Sequence, residues 1–384
     1  MRSCVLPSGG RSLDAALAHP RSWGVPPWNV DFRPTRRPLP AEVDFAVIGA
    51  GFTGLAAAAW LRHIAPDRTA AIFEASSLGA GSSGRSGGMA LAESSVGGLP
   101  GLGDVLAGFE ETVSILDVNC DSKFPGVWEI ARQKKSLPHS PIDWSDSGNL
   151  RAVGEVPGGA VDPGKLVAGL ARAAERLGAS IHEHTPLDSV LFEDPLRLVV
   201  GRNEVRTHGL IFATNAQSLE LNGLAGRSEP KFTLAVATAP LTASQLDALG
   251  LASQRPFYTV DFPYLWGRFL ENQGVVFGAG LVHVDSWRDL ASLDVSDGES
   301  ATLIARLERR VRGLVPAVRD VEFTHRWGGP ILIAEGWRPV FARHPESPHA
   351  LVLGAYSGQG VTLGVHLGRW AAEAMLGRRA LPAW

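Results

Sequence analysis

Apolar residues occur along the chain in short runs whose spacing alternates between strand-like and helix-like patterns. The continuous run DFAVIGA is followed by a helical pattern from Phe52 to about Ile64, and then by the strand-like TAAIFEA. A strand, a helix and a strand in this order predict a parallel βαβ unit. The alternation is repeated in the helix-like segment PGKLVAGLARAAERLGA and the strand-like segment SIHEHTPL that follows it. It is repeated again near the C-terminus, in the strand-like segment ALVLGAY and the helix-like segment VHLGRWAAEAMLG. These patterns favour an α/β fold.

Residues 231 to about 327 show a different pattern. They contain several strand-like runs and one helical pattern, from about 297 to 314. Successive strands with few helices between them predict a mostly antiparallel second sheet. Residues 1–40, rich in proline and arginine, predict an extended loop across the main body. Residues 96–150 predict mainly loop around one helix near 105–116.

Three glycines interrupt the apolar pattern at the first strand-to-helix junction. In VIGAGFTG they are Gly49, Gly51 and Gly54, which form a G-x-G-x-x-G pattern. Gly49 permits the tight turn, Gly51 admits a pyrophosphate close to the backbone, and Gly54 lets helix and strand pack closely. Glu74 follows 20 residues after Gly54, where a carboxylate accepts hydrogen bonds from ribose hydroxyls. The pattern predicts a dinucleotide, FAD or NAD rather than NADP, and leaves those two alternatives open.

Composition and charge limit the other partners. The chain has 384 residues, enough for two domains, and a formal net charge of −3, which gives no overall attraction to nucleic acid or anionic lipid. Its two cysteines, Cys4 and Cys120, are too few for a disulfide framework and lack zinc-site spacing. The first twenty residues lack the unbroken apolar run of a signal peptide, and no apolar run approaches the roughly 20 residues that span a bilayer. We expect a cytoplasmic protein with no metal and no nucleic-acid or membrane partner.

Further segments carry a family resemblance. Two of them are rich in glycine: EASSLGAGSSGRSGGM (residues 74–89) and LGAYSGQGVTLGVHLGRWAAEAMLG (residues 353–377). Between these two lie, in order, GGAVDPGKLVAGLARAAERLGASI, LIFATNA, YLWGRFLENQGVVFGAG and HRWGGPILIAEGWRPVFAR. Together with the opening glycines they resemble the D-amino-acid-oxidase-like flavoenzyme superfamily. The most similar branch includes glycine and sarcosine oxidases and gamma-glutamylputrescine oxidase. The resemblance covers about residues 40–384.

This resemblance implies a domain organisation. We expect an α/β fold with an α+β second domain: a Rossmann-like FAD-binding domain and a discontinuous, mostly antiparallel β substrate domain. The expected limits are an N-terminal extension over 1–40, an FAD-binding domain from 41–95, 151–230 and 326–384, and a substrate domain from 96–150 and 231–325.

The resemblance also implies non-covalently bound FAD. Its adenosine end would lie at Gly49 to Glu74, and its isoalloxazine near Gly84 to Met89 and the C-terminal glycine turn. Bare backbone at these places suits a flat ring, since a Cβ atom would fill the space. The expected cofactor-binding residues are Gly49, Gly51, Phe52, Thr53, Gly54, Glu74, Ala75, Gly84, Arg85, Ser86, Gly87, Gly88, Met89, Val190, Ala213, Thr214, Asn215, Gly354, Gly358, Gln359, Gly360, Val361 and Thr362. For Arg85 a solvated surface position, and for Thr214 and Asn215 a turn-forming role, are the alternatives.

The implied reaction is oxidation of a carbon–nitrogen bond in an amine or amino acid. Hydride leaves the carbon next to nitrogen for flavin N5 and gives an imine, so no side-chain base is required and no catalytic residue is assigned. Oxygen or an electron carrier would accept the electrons. The substrate-pocket candidates are Tyr258, Tyr264, Trp266, Arg268, Arg326 and Trp327. The three aromatics at 258, 264 and 266 form either a cage for a substrate cation or ordinary core.

Two departures from the family pattern bear on the substrate. Relatives carry an arginine that pairs with a substrate carboxylate in W-x-G-x-R-P, where this chain has Ile331. An amine without an adjacent carboxylate fits this change, unless Arg268, Arg326 or Arg338 compensates. Val276 stands where some relatives use a lysine to promote the oxygen reaction, so both oxidase and dehydrogenase stay open. A degenerate FAD-binding protein and a nicotinamide-dependent dehydrogenase are the alternative functions, and the oligomeric state is not predicted.

Overall fold

The computed structural model describes residues 3–5, 21–132, 137–138 and 140–384. Its α-helices are α1 (Phe52–Ile64), α2 (Val105–Ile115), α3 (Pro163–Arg176), α4 (Ala243–Ala248), α5 (Gly298–Leu314) and α6 (Thr362–Met375). Its strands are β1 (Ser3–Val5), β2 (Glu42–Ile48), β3 (Ala70–Phe73), β4 (Met89–Leu91), β5 (Val127–Ala131), β6 (Asp143–Ser145), β7 (Asn149–Val156), β8 (Gly158–Ala160), β9 (Ser180–His182), β10 (Ser189–Leu191), β11 (Leu196–Val200), β12 (Asn203–Phe212), β13 (Ser228–Thr238), β14 (Phe257–Thr259), β15 (Trp266–Phe269), β16 (Val275–His283), β17 (Phe323–Ala334), β18 (Val340–His344) and β19 (Ser347–Gly354).

The first sheet has a parallel centre. Strands β12, β2, β3 and β9 lie side by side in parallel, and β19 pairs in parallel with the second half of β12. Strands β1, β10, β11 and β18 add antiparallel pairs at its margins. Strand β2 is buried over its last four residues, as expected for a strand covered on both faces. Because the central strands run in parallel, the backbone that follows each of them emerges at one edge of the sheet.

The second sheet runs in the order β17, β13, β16, β15, β14, β5, β7, β6 within the described residues. Its pairs are antiparallel except for β14 with β5. One face carries the large buried side chains Phe257, Phe277 and Trp144, which pack together. Helix α5 packs against strands of this sheet. The opposite face carries the aromatic residues of the site described below.

The segment before β2 crosses the body of the protein without forming a helix or strand between residues 25 and 40. Trp23 and Trp28 are buried, and Gly24 forms an isolated bridge with Trp327 of β17. The extended arrangement over this stretch was predicted. Strand β1 was not predicted, and its place at the sheet margin depends on pairing with β10.

The structure confirms the α/β class and most predicted elements. Helices α1, α2, α3 and α5 fall within a residue or two of the predicted limits, and β2 to β3 through α1 form the predicted parallel unit. Residues 96–150 are a correction, because β5, β6 and the start of β7 lie where mainly loop was predicted. These strands are stabilised by pairing with each other and with β14, partners distant in sequence. The domain limits stay a prediction.

Candidate active site

A cleft opens at the carboxyl edge of the first sheet. It collects the residues that follow β2, β3 and β12. Its lining comprises Trp23, Ile48, Gly49, Gly51, Phe73, Glu74, Ala75, Ser76, Gly79, Ala80, Gly81, Ser82, Ser83, Thr185, Leu187, Phe212, Ala213, Thr214, Asn215, Ala216, Gln217, Ser218, Leu221 and Pro330. Ligands of open parallel sheets bind in such crevices.

The glycines of the first turn leave no room for side chains. A Cβ on Gly49, where φ is +104°, would lie 2.8 Å from the Ala213 carbonyl oxygen, and one on Gly54 would lie 1.9 Å from the Gly49 carbonyl oxygen. A Cβ on Gly51 would lie 2.7 Å from Ser83 Oγ. Helix α1 begins at Phe52, and the positive end of its dipole favours an anionic group at this turn.

Glu74 is held at the end of β3 by two backbone donors. Its Oε2 accepts a hydrogen bond of 2.8 Å from Ala50 N–H, and its Oε1 accepts one of 2.9 Å from Ser76 N–H. Burial raises the pKa of this carboxyl group. Each oxygen keeps a lone pair for a further donor, so the side chain can bind vicinal hydroxyls of a ribose.

Asn215 ties together three parts of the site. Its Nδ2 donates to Ser82 Oγ at 3.2 Å, and its Oδ1 accepts from Ala355 N–H at 3.0 Å. Its φ of +47° places it in a turn conformation, and Thr214 Oγ1 accepts a 2.8 Å hydrogen bond from Asn222. The turn-forming alternative therefore describes both residues, while both also line the cleft.

The cleft lining includes residues that the sequence did not reveal. Val190 is fully buried in β10 and lies outside the cleft lining, whereas Thr185 and Leu187 of the preceding segment are part of it. Thr185 N–H donates to the Glu74 carbonyl oxygen at 2.8 Å. The polar turn after β9 was the available sequence signal for these residues.

The loop Gly84–Met89 lies against aromatic side chains. A Cβ on Gly87 would lie 2.1 Å from the ring of Trp266, and one on Gly88 would lie 2.3 Å from the Val161 carbonyl oxygen. The indole N–H of Trp327 donates to the Arg85 carbonyl oxygen at 3.0 Å. Backbone without side chains is therefore required here.

Arg85 points away from solvent. Its guanidinium donates to the carbonyl oxygens of Trp23 at 3.1 Å, Gly24 at 3.0 Å and Gly328 at 2.9 Å. Burial lowers its pKa to about 10. Arg85 is thus not a solvated surface residue: it joins the N-terminal segment and β17 to the loop.

Two buried polar atoms beside this loop have no hydrogen-bond partner in the described part of the chain. They are Ser86 Oγ and Arg268 Nη2. Arg268 is 5% exposed, its Nε donates to the Gly87 carbonyl oxygen, and its Nη1 donates to the Phe269 carbonyl oxygen. Unpaired buried polar atoms are rare, so a bound group with a hydrogen-bonding edge fits this position.

The C-terminal glycine turn meets both other glycine segments. The hydroxyls of Tyr356 and Thr53 are 2.9 Å apart, which joins the turn to α1. Thr362 Oγ1 donates to the Leu91 carbonyl oxygen at 2.6 Å, which joins it to the end of β4. Gly358 has a φ of +90° and open space around a Cβ position. Segments far apart in sequence thus converge on one region.

The substrate-pocket candidates divide between two faces of the second sheet. Trp266 and Trp327 contact the Gly84–Met89 loop, and Arg268 lies beside it. Tyr264, at the connection between β14 and β15, is 41% exposed. Arg326 does not reach this loop, because its Nε donates to Glu308 of α5 at 2.6 Å. The hydroxyl of Tyr258 donates a hydrogen bond to Oε1 of Glu129 at 2.6 Å.

Metal and membrane features are not found in the described ranges. No group of three or more His, Cys, Asp or Glu residues there has the arrangement of a metal site. No helix of this part of the chain has the length and apolar character to cross a bilayer.

Comparisons with known proteins agree with this geometry. Residues 44–374 match the DAO family, described as FAD dependent oxidoreductase. A probable oxidoreductase, OrdL, of Haemophilus influenzae is 26% identical over 411 aligned residues, which cover 94% of this chain and 89% of the relative. The gamma-glutamylputrescine oxidoreductase of Escherichia coli K12 is 25% identical over 378 residues, covering 87% and 84% of the two chains. The crystal structure of glycine oxidase from Bacillus cereus is 18% identical with a TM-score of 0.70, covering 89% of this chain and 99% of that one.

Proposed function

The chain belongs to the DAO family of FAD-dependent oxidoreductases, and from that premise we propose that it oxidises the carbon–nitrogen bond of an amine. Oxygen or an electron carrier would accept the electrons. When bound, FAD supplies the ring that accepts hydride. The observation that carries the proposal is that three glycine-rich segments, at Gly49–Gly54, Gly84–Met89 and Gly358–Thr362, come together beside an aromatic face of the second sheet.

The residues present fit FAD, and the family resolves the FAD or NAD alternative in favour of FAD. The Gly49–Gly54 turn and the start of α1 would hold the pyrophosphate, and Glu74 the ribose. Near the isoalloxazine, the unpaired Ser86 Oγ and Arg268 Nη2 would find hydrogen-bond partners. A bound group with hydrogen-bonding atoms at this position would satisfy both of them.

The cofactor would be held without a covalent bond. Cys120 is 1% exposed, and burial raises the pKa of its thiol to about 11. A thiol that stays protonated and is shielded from the cleft is a poor nucleophile. Cys4 lies in a segment whose side chains are outside the description.

An amine without an adjacent carboxylate is the proposed substrate class. Ile331 stands where the resemblance implies a carboxylate-binding arginine, and Arg326 is paired with Glu308. Arg338 is exposed. One relative, gamma-glutamylputrescine oxidoreductase, is named for an amine substrate, which supports an amine as the substrate class. Arg268 lies beside the Gly84–Met89 loop, so it is the arginine that could bind a substrate carboxylate in place of the missing one.

The contribution of this chain is to orient the substrate and exclude water. Trp266 and Trp327 form a wall against the Gly84–Met89 loop. Trp327 is 1% exposed and supports the loop from within the core. The partly buried ring of Trp266 would restrict the poses of an alkyl amine and keep solvent from the reacting carbon. No side chain is assigned the role of a base.

Anaerobic mixing of the purified flavoprotein with a panel of amines and amino acids tests this function. We expect loss of the visible flavin absorbance with at least one amine, and little with the matched α-amino acid. Peroxide detection and reduction of an artificial dye, run in parallel, would identify the acceptor class.

Two results would contradict the proposal. A yellow protein that keeps its absorbance with every amine and amino acid would favour the degenerate FAD-binding alternative. Preferential reaction with α-amino acids would show that an arginine compensates for Ile331.

A further inference from the structure

A row of residues crosses the second sheet on the face that meets the Gly84–Met89 loop. The strand register pairs Glu129 with Tyr258 and Tyr258 with Trp266. It continues from Trp266 through Gly278 and Ala235 to Trp327. Residues directly opposite each other on neighbouring strands share one face of a sheet. Glu129 and Tyr258 therefore face the same side as the two tryptophans that contact the loop.

Glu129 is a half-buried carboxylate with a single neutral donor. The Tyr258 hydroxyl donates to its Oε1 at 2.6 Å. Among the described residues, no Lys, Arg or His nitrogen lies within 4.0 Å of it, and no donor reaches Oε2. Glu129 is partly buried, and a carboxylate that accepts from one neutral donor keeps the capacity to bind a cation.

Tyr258 keeps the carboxylate oriented. Burial raises the pKa of the Tyr258 phenol, and the hydrogen bond to Glu129 raises it further. The phenol therefore stays protonated and donates. This bond uses one oxygen of Glu129 and leaves the other for a second donor.

The strand register sets the backbone distance between Glu129 and Trp266. Adjacent strands lie about 4.8 Å apart, so the two strand steps from β15 to β5 amount to about 10 Å. The Trp266 ring packs against Gly87 and Gly278, so it marks the end of the row that meets the Gly84–Met89 loop. The ring of Tyr258, between Glu129 and Trp266 in the register, suits an alkyl chain and attracts a cation.

We propose that Glu129, oriented by Tyr258, binds a second, protonated amine of the substrate, so that the protein prefers diamines with an alkyl spacer. This inference rests on the proposed function for the position of the reacting amine. The reacting amine would be neutral, and FAD, when bound, would supply the hydride acceptor. The distal ammonium would keep its charge and its protons.

The first test compares 1,4-diaminobutane, longer α,ω-diamines and n-butylamine. For wild-type protein we expect a lower KM for a diamine than for n-butylamine. Glu129→Gln should raise the KM for the diamine about 10-fold or more, since a charge-assisted hydrogen bond is lost. Its kcat, and its KM for n-butylamine, should change little. Tyr258→Phe should act in the same direction with a smaller effect.

Glu155→Gln provides the matched control. Glu155 lies on neighbouring β7 and pairs with Arg255, so its change should leave the diamine preference unchanged. Flavin absorbance and thermal unfolding of each variant establish that the fold is kept. Equal KM changes for diamine and monoamine in Glu129→Gln, or no diamine preference in wild-type protein, would overturn the inference.

A binding measurement separates this inference from the proposed function. The diamine 2,5-dimethylhexane-2,5-diamine has no hydrogen on the carbons next to nitrogen, so it cannot lose hydride, while its ammonium groups still donate hydrogen bonds. We expect calorimetric titration to show tighter binding of this diamine than of the monoamine 2,5-dimethylhexan-2-amine. Glu129→Gln should remove the difference. Preference in binding without any amine oxidation would refute the function alone, whereas amine oxidation with no such preference would refute the distal cation site.

Discussion

The indole nitrogen of Trp28 donates a hydrogen bond of 2.7 Å to the carbonyl oxygen of Gly84. The same ring packs edge-on against Trp327 at 5.4 Å and lies 4.9 Å from the Arg268 guanidinium. A segment outside the recognisable motifs thus supports the backbone of the proposed flavin loop. Because the contacts are buried, the N-terminal segment is a structural part of the site.

Removal of the Trp28 side chain should destabilise the protein and weaken cofactor retention. We expect Trp28→Ala to lower the free energy of unfolding by about 3–5 kcal/mol, and Trp28→Phe by about 1–2 kcal/mol through loss of the hydrogen bond. Urea unfolding and FAD content after dialysis measure both effects. Trp337, 45% exposed, supplies a control whose change to Ala should cost at most about 0.5 kcal/mol. Equal losses in the two Ala variants would contradict the role given to Trp28.

Gly54→Ala should impair FAD binding, whereas Gly98→Ala should not. A Cβ on Gly54 would meet the Gly49 carbonyl oxygen at 1.9 Å, and one on Gly98, which is not part of the cleft lining, would have nothing within 4 Å. Displacement of the turn would move the phosphate-binding backbone. We expect at least about a tenfold rise in the Kd for FAD, corresponding to about 1.4 kcal/mol. Flavin fluorescence titration would measure it, and identical Kd values for both variants would count against the assigned turn.

Glu74→Ala should weaken FAD retention by about 1–3 kcal/mol through loss of charge-assisted hydrogen bonds to ribose. Glu74→Gln keeps the shape and one acceptor oxygen, so its loss should be smaller. We expect FAD occupancy after dialysis to be highest in the wild-type protein, lower in Glu74→Gln and lowest in Glu74→Ala. Unchanged occupancy in the Ala variant would remove Glu74 from the cofactor site.

Asp44 should make the fold sensitive to acid. Burial raises the pKa of its carboxyl group, but hydrogen bonds from Thr69 and Arg68 outweigh burial and lower the pKa to about 2. A lowered folded-state pKa contributes stability above the unfolded value of 3.8, and this contribution is lost as pH falls from 3.8 towards 2. Because Asp44 and its partner Arg68 are partly exposed, solvent screening reduces the effect, and we expect Asp44→Asn to cost about 1 kcal/mol at neutral pH and almost nothing near the folded-state pKa. Urea unfolding across this range measures the difference, and a cost independent of pH would contradict the assignment.

Local patterns accounted for most elements and for the nucleotide end of the site. The glycine turn, α1 and Glu74 lie within one continuous βαβ unit, so strand length, helix period and turn chemistry specify them together. Strands β5 and β6 escaped prediction because they are short and owe their conformation to distant partners. Strand propensity is weak when pairing decides the outcome.

The amino-acid sequence alone determined that this chain has a dinucleotide turn, an α/β first sheet and a mostly antiparallel second sheet, because each follows from residues close together in the chain. Tertiary structure alone decided that Trp28 supports Gly84, that Arg326 turns towards Glu308, and that Glu129 shares a face with Tyr258 and Trp266. These relations depend on strand register and on packing between hydrogen-bonded residues up to 129 positions apart. A one-residue slip would turn each side chain to the other face, and local sequence does not specify that register.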